Sequence, residues 1–232
     1  MNLRIKSLFR QRPALLGYQI LNNCLGRPNP IRLWESDTYF NELMKKIKHH
    51  TLVSKKKCFM IYQLAKQVAS FPCDAVEVGV YKGGTAKLLA EMFKSQNKAL
   101  HLFDTFTGMP SADVNRDIHK KGDFKDTSLE SVKDCLRDYK NIYYHQGYFP
   151  TTAKPIENLS FCLVHIDVDI YKSVMDCCEF FYPRMERSGI MIFDDYGLLT
   201  CPGAKMAVDE FFSDKPEKPC YLQSGQCIII KL

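Results

Sequence analysis

Residues 75–85, Ala75-Val76-Glu77-Val78-Gly79-Val80-Tyr81-Lys82-Gly83-Gly84-Thr85, decide how the rest of the chain is read. A short apolar run ends at a glycine, turns through two more, and enters the amphipathic stretch Thr85 to Phe93, which is the pattern of a β-strand feeding an α-helix. Glycines at such a turn let backbone approach a ligand, and the helix start presents unpaired N–H groups. A tight turn needing positive φ accounts for the same residues, and the spacing differs from the dinucleotide fingerprint. Glu77, a carboxylate inside the strand, requires a positive or N–H-rich partner, which an ammonium-bearing ligand would supply.

Outward from this unit the alternation continues. Leu100 to Phe103 reads as a strand that stops at Asp104, Ser128 to Tyr139 as a helix and Ile142 to Tyr144 as a strand. Phe161 to Ile166 reads as a buried strand, Tyr171 to Tyr182 as a helix, Gly189 to Phe193 as a strand and Gly203 to Phe212 as a helix. Tyr221-Leu222 and Cys227 to Lys231 close the sheet as an antiparallel hairpin. The expectation is an α/β fold, Rossmann-like, with a mostly parallel, doubly wound sheet binding its ligands at the strand carboxyl ends. Before it, residues 36–50 and Phe59 to Val68 carry apolar side chains at helical spacing. They predict an N-terminal helical extension over 1–70, as a lid or a subunit contact, ahead of a catalytic domain over 71–232.

Composition agrees with a globular chain: 46% hydrophobic and 25% charged residues in 232 match ordinary soluble domains. The longest apolar stretches, such as Ile228-Ile229-Ile230, fall far short of the roughly 20 residues that span a bilayer, so no membrane span is expected. The basic start (Arg4, Lys6, Arg10, Arg12) is broken by Pro13 and Gly17 without a signal-type apolar region. Ten scattered cysteines read as core filler in a reducing compartment, which predicts a cytoplasmic protein. The net charge of +6 is dispersed; the run Lys55-Lys56-Lys57 reads as a solvated face, so no nucleic-acid partner is expected.

Chemistry concentrates at the strand ends. Asp104 lies about 25 residues past Gly79, near the distance at which an acid meets ribose hydroxyls in nucleotide folds; an Asx-turn in Asp104-Thr105-Phe106-Thr107-Gly108 is the plainer alternative. His165-Ile166-Asp167-Val168-Asp169 and Phe193-Asp194-Asp195-Tyr196 each end a hydrophobic strand, so Asp167, Asp194 and Asp195 can converge. Clustered carboxylates repel unless a hard divalent cation joins them, and oxygen donors suit magnesium, manganese or calcium; capping of the following helices is the competing reading. Asp169 is open between supporting the metal, meeting substrate and capping the next helix.

Taken in order, the glycine loop, Phe103-Asp104-Thr105-Phe106-Thr107-Gly108-Met109-Pro110, Gln146-Gly147-Tyr148-Phe149, Asp167-Val168-Asp169-Ile170-Tyr171 and Asp194-Asp195-Tyr196-Gly197 resemble the macrocin O-methyltransferase family. The likeness runs from about residue 55 to 212, and the arrangement is more distantly similar to catechol O-methyltransferase. It implies an S-adenosylmethionine site with Glu77 and Gly79 near the methionine end, Asp104 on the ribose and Gln146-Gly147 near adenine. Val78, Tyr81, Gly83, Thr85, Thr105 and Asp167 complete the implied cofactor contacts. It further implies Mg2+ at Asp167, Asp194 and Asp195, a hydroxyl acceptor on a small molecule, often a deoxysugar, and a homo-oligomer. Where catechol-type enzymes carry a lysine three positions after the first metal aspartate, this chain has Ile170, so the base is open among Asp169, His145, His165 and Lys172. Asp167, Asp169 and His145 are the expected catalytic residues. Ser111 to Lys125, with Asp113, Arg116, His119 and Asp123, reads as a flexible loop over the site, and Trp34, Tyr39, Tyr148 and Tyr196 as acceptor-pocket residues. A nucleotide-dependent oxidoreductase and a non-catalytic Rossmann-like binding protein are the competing classes; the first lacks the GxGxxG spacing and leaves the paired aspartates without a role.

Overall fold

The computed structural model describes residues 32–96 and 98–232. The basic N-terminal segment lies outside the described residues. Two compact units divide the chain, 1–38 and 39–232. Within the described part of the first is one short helix, α1 (Leu33–Ser36), with no buried residue. The elements from α2 onward belong to the second unit, apart from Thr38, which opens α2.

Sequence pattern and structure coincide along most of that unit. Helices α2 (Thr38–Ile47) and α3 (Lys55–Val68) precede β1 (Asp74–Val78), α4 (Gly84–Phe93), β2 (Leu100–Asp104), α5 (Leu129–Cys135) and β3 (Ile142–Gln146). Then follow β4 (Phe161–Ile166), α6 (Tyr171–Phe181), β5 (Met185–Phe193), α7 (Pro202–Phe211), β6 (Cys220–Tyr221) and β7 (Cys227–Ile230). One seven-stranded sheet runs β3-β2-β1-β4-β5-β7-β6; β7 is antiparallel to both of its neighbours and the other pairs are parallel. Every residue of β4, the strand at the centre, is buried, as expected of a parallel strand covered on both faces.

Differences are local. Helix α5 stops at Cys135, short of the expected Tyr139, and β5 starts four residues before Gly189. The compact unit takes in α2 and α3, so the expected boundary near residue 70 falls inside one packed body. Phe40, Leu43, Ile47, Ile61 and Ala65 are all buried, and Gly84 explains part of the join. A Cβ at Gly84 would lie 2.7 Å from the His50 carbonyl oxygen, which accepts the Gly84 N–H at 2.9 Å. Alternation along β1 sends Val76 and Val78 into the core shared with Phe181, Val208 and Phe212, while Glu77 points the other way.

Register decides where the site forms. Val78 pairs with Phe103 and with Ile166, and Ile166 pairs with Phe193, so Gly79, Asp104, Asp167 and Asp194 leave the sheet from one row. The crossing is close: Gly79 has φ +89°, and a Cβ there would lie 1.8 Å from the Asp167 carbonyl oxygen. Only glycine fits.

Away from this edge, Glu91 of α4 accepts from Tyr39 Oη and Tyr139 Oη, both at 2.7 Å, and from Lys94. Burial pushes its carboxyl upward, but the bonds from Lys94, Tyr139 and Tyr39 hold it at about 2. This stabilisation is therefore complete above the unfolded value near 4.5 and is lost as pH falls toward 2. Glu91→Gln is expected to lower unfolding free energy by about 1–3 kcal/mol at pH 7, with the difference from wild type shrinking between pH 5 and pH 2 in urea titrations.

Candidate active site

The row of strand ends opens into a cavity of about 580 Å³, within the ordinary size for small-molecule sites. Val78, Gly79, Tyr81 and Thr85 of the glycine turn line it, as do Asp104, Thr105 and Gly147. Asp167, Asp169, Asp194 and Asp195 line it beside that turn, together with residues 50–54, Lys56 and Lys57. Glu77, Gly83, His145 and Gln146 are not among the lining residues.

Each placement has a local cause. Tyr81 and Gly83 both take positive φ, which turns the chain from β1 into α4 with Gly83 as the residue before the helix. Asp104 accepts from the Val80 and Tyr81 N–H groups at 2.7 and 2.9 Å through Oδ2, and from Phe106 N–H at 2.7 Å through Oδ1. It thus makes the Asx-turn and pins the glycine turn while facing the cavity. Glu77 meets a partner from the chain itself: its Oε1 lies 2.9 Å from His165 Nδ1, and no ligand ammonium is needed for that oxygen. Oε2 is buried with no hydrogen-bond partner.

Asp167, Asp194 and Asp195 each present a carboxylate oxygen within 4.8 Å of the others. Asp194 is fully engaged. Its Oδ2 accepts from Lys57 Nζ at 2.6 Å, and its Oδ1 takes Gln226 Nε2 at 2.8 Å and faces His165 Nε2 at 3.5 Å. Lys57 also donates to the Asp194 carbonyl at 2.7 Å and lies 3.8 Å from Asp195 Oδ1. The reading of Lys55-Lys56-Lys57 as one solvated face is corrected here: Lys55 and Lys56 are exposed, and Lys57 is buried against the acids. Helical spacing carries the missed signal, because Lys57, Ile61 and Ala65 form one buried stripe of α3. Gln226, in the β6–β7 hairpin loop, had no pattern to reveal it.

Electrostatics divide the three acids. Desolvation works against ionised Asp194, yet bonds and charges from His165 and Lys57 bring its carboxyl below the ordinary range. Desolvation, followed by the charges of Asp194, Asp195 and Asp169, pushes Asp167 well up. Asp195 rises to about 8 from burial and from the Asp169 and Asp194 charges. Burial alone would depress His165, but its bonds to Asp194 and Glu77 raise it to about 9, making it a charged spacer between two carboxylates. Lys57 and His165 supply the positive charge around these acids, and the oxygen donors of Asp167, Asp194 and Asp195 are of the kind that suits a hard divalent cation.

Of the four residues open as base, Asp169 alone lines the cavity. It sits at φ +58°, with its N–H donating to Asp195 Oδ2 at 3.3 Å. His145 stacks on Phe103 at 4.2 Å and has its Nε2 3.2 Å from His101 Nδ1; burial and the His101 charge lower it to about 4. Lys172 pairs with Asp176, and His165 is enclosed. Loop 111–125 is tied down: Met109 N–H donates to the Asp123 carbonyl at 2.8 Å, and Asp117 Oδ1 accepts from Tyr171 N–H at 2.9 Å. Tyr148 lines the cavity, whereas Tyr39 and Tyr196 direct their hydroxyls to Glu91 and Asp209. Trp34 belongs to the other unit.

Known proteins share this architecture. The chain is 29% identical over 182 residues to the demethyldecarbamoylnovobiocin O-methyltransferase of Streptomyces niveus, covering 70% of this chain and 67% of that protein. It is 26% identical over 171 residues to an 8-demethyl-8-(2,3-dimethoxy-alpha-L-rhamnosyl)-tetracenomycin-C 4'-O-methyltransferase of Streptomyces olivaceus, covering 67% and 66% respectively. The match thus spans about two thirds of each curated relative. Among solved structures, the O-methyltransferase NovP superposes with a TM-score of 0.69 at 25% identity over 78% of this chain and 82% of that one. The calicheamicin methyltransferase CalS11, at 15% identity, shares the fold with a TM-score of 0.63 over 88% and 94%. Fold and relatives define the class, an S-adenosylmethionine-dependent O-methyltransferase. Residues 45–218 match the model of the Macrocin-O-methyltransferase (TylF) family, and the chain belongs to that family.

Removing the Lys57 ammonium strands a buried carboxylate. Lys57→Met is expected to cost about 3–5 kcal/mol of stability at pH 7 in metal-free buffer, measured by urea unfolding; a loss below about 1 kcal/mol would contradict the role given to this pair.

Proposed function

We propose that this enzyme methylates a hydroxyl of a sugar on a small natural product, with a hard divalent cation held by Asp167, Asp194 and Asp195 and with Asp169 as general base. The observation that carries the reading is the convergence of four carboxylates beside the glycine turn in one cavity, with the Lys57 ammonium within reach of Asp194 and Asp195. The rhamnosyl-bearing substrate in the name of the Streptomyces olivaceus relative supports the acceptor class.

When bound, S-adenosylmethionine supplies a methyl group on a positively charged sulfur, already activated for attack by oxygen. A divalent cation among the three acids would supply Lewis acidity that lowers a bound hydroxyl's pKa. The chain's own residues do the remainder. Gly79, Tyr81 and Thr85 line the part of the cavity that would receive the donor, and Asp104 fixes their turn. Asp169 accepts the acceptor's proton as the new O–CH3 bond forms and the S–CH3 bond breaks, its backbone held to Asp195. We further place the enzyme in the cytoplasm, on the strength of its buried free cysteines, and infer a homo-oligomer.

Calorimetry with S-adenosylhomocysteine and turnover with vicinal-diol sugars test the reading together. Asp169→Asn is expected to bind S-adenosylhomocysteine like wild type while losing about 10²–10⁴-fold in kcat. Folded wild type that binds neither S-adenosylmethionine nor S-adenosylhomocysteine would remove the methyl-transfer assignment. Full turnover in Asp169→Asn would remove only the base. Separately, chelation by EDTA is expected to stop turnover and added Mg2+ to restore it; activity that survives exhaustive chelation would eliminate the cation.

A further inference from the structure

Beside the acid group, the cavity wall holds a second cluster of different chemistry. Cys201 Sγ lies 3.3 Å from Asp169 Oδ1 and 3.6 Å from His119 Nε2, and the same nitrogen lies 3.7 Å from the same carboxylate oxygen. Metal bonds of about 2.0–2.3 Å arranged tetrahedrally put neighbouring sulfur, nitrogen and oxygen ligands about 3.3–3.6 Å apart. The three atoms therefore already stand as one face of such a tetrahedron. All three residues line the cavity, so the fourth direction is open to solvent or substrate.

The surroundings fit the same purpose. His119 Nδ1 is 3.1 Å from Asp123 Oδ2, an outer carboxylate that fixes the tautomer with the Nε2 lone pair free for a cation. Asp123 is itself held by the Lys120 N–H at 3.0 Å. Cys201 immediately precedes the ten-residue helix α7; burial and the charges of Asp195 and Asp169 push its thiol up, so it keeps its proton until a cation displaces it. A sulfur, nitrogen and oxygen donor set selects a borderline-soft ion, whereas the neighbouring all-oxygen group selects a hard one.

We propose that His119, Asp169 and Cys201 form a separate site for a zinc-class divalent cation, open on its fourth side to the cavity. On binding, the Cys201 S–H proton passes to solvent and the sulfur joins the ion as thiolate. Because Asp169 is shared with the methyl-transfer reading above, an ion here withdraws the base, so occupancy is inhibitory; that consequence rests on the proposed function, while the site does not.

Cobalt(II) added to the metal-free full-length protein reports the site directly, through the near-ultraviolet charge-transfer absorption of a cobalt–thiolate bond. The expected result is a band that saturates at one equivalent, persists in excess Mg2+ and disappears when Zn2+ displaces the cobalt. The band is expected to survive in Cys220→Ser, vanish in Cys201→Ser and need about 10–100-fold more cobalt in Asp123→Asn, which removes the outer carboxylate. Absence of the band in wild type, or an unchanged band in Cys201→Ser, overturns the proposal. If Cys201→Ser does not fold by circular dichroism, His119→Ala takes its place, and an unchanged cobalt titration there overturns it equally. Zn2+ inhibition of wild type that is relieved in Cys201→Ser supports the shared use of Asp169. A band without inhibition keeps the site and detaches it from the base.

Discussion

The Asp194 carboxylate, buried at the end of β5 and held by donors from three parts of the chain, is the constraint on which the rest of the site depends. Lys57 comes from α3, His165 from β4 and Gln226 from the β6–β7 hairpin. Taking these groups out of water is costly, and a pair in this setting is weak evidence for stability in itself. What it does specify is position. With Asp194 fixed, Asp195 is directed at the cavity and meets the Asp169 N–H; with His165 fixed between two acids, Glu77 is tied to the underside of the same edge.

The sheet supplies the geometry that this network locks. Because Val78, Phe103, Ile166 and Phe193 share one register row, the residues that follow them emerge side by side, and no loop has to reach far to build the wall of acids. The glycine at 79 is the counterpart of this closeness: backbone meets backbone at the Asp167 carbonyl, and the turn has no room for a side chain. The neighbouring cluster at Cys201 draws on a different element, the start of α7, so two ligand sets of unlike softness share Asp169's loop as a boundary.

Much of this was legible in the sequence because it rests on short-range pattern. Period-two and period-3.6 alternation marked the strands and helices, and acids ending apolar strands marked Asp104, Asp167, Asp194 and Asp195, all of which line the cavity. What escaped depends on contacts between segments far apart in the chain. Lys57 was hidden by two exposed lysines before it, and Gln226 by a hairpin without periodicity. Gln146 entered through the family likeness and His145 as one of the residues open as base; β3 is an edge strand whose end leads His145 onto Phe103 and leaves Gln146 exposed. Cys201 and His119 looked like filler and loop because a three-residue ligand triangle from distant segments leaves no spacing to read.

The hairpin's part in the network bears on how the molecule is made. Lys57 and Gln226 stand 169 positions apart, and Asp194 lies between them, 137 after the first. A ribosome therefore delivers the lysine early, the aspartate late and the glutamine after both, and β7 must then slot between β5 and β6 before its amide can reach the acid. Completion of the wall of acids is thus coupled to the docking of the β6–β7 hairpin, and a chain without Gln226 has its acids without one of the donors that hold them in place.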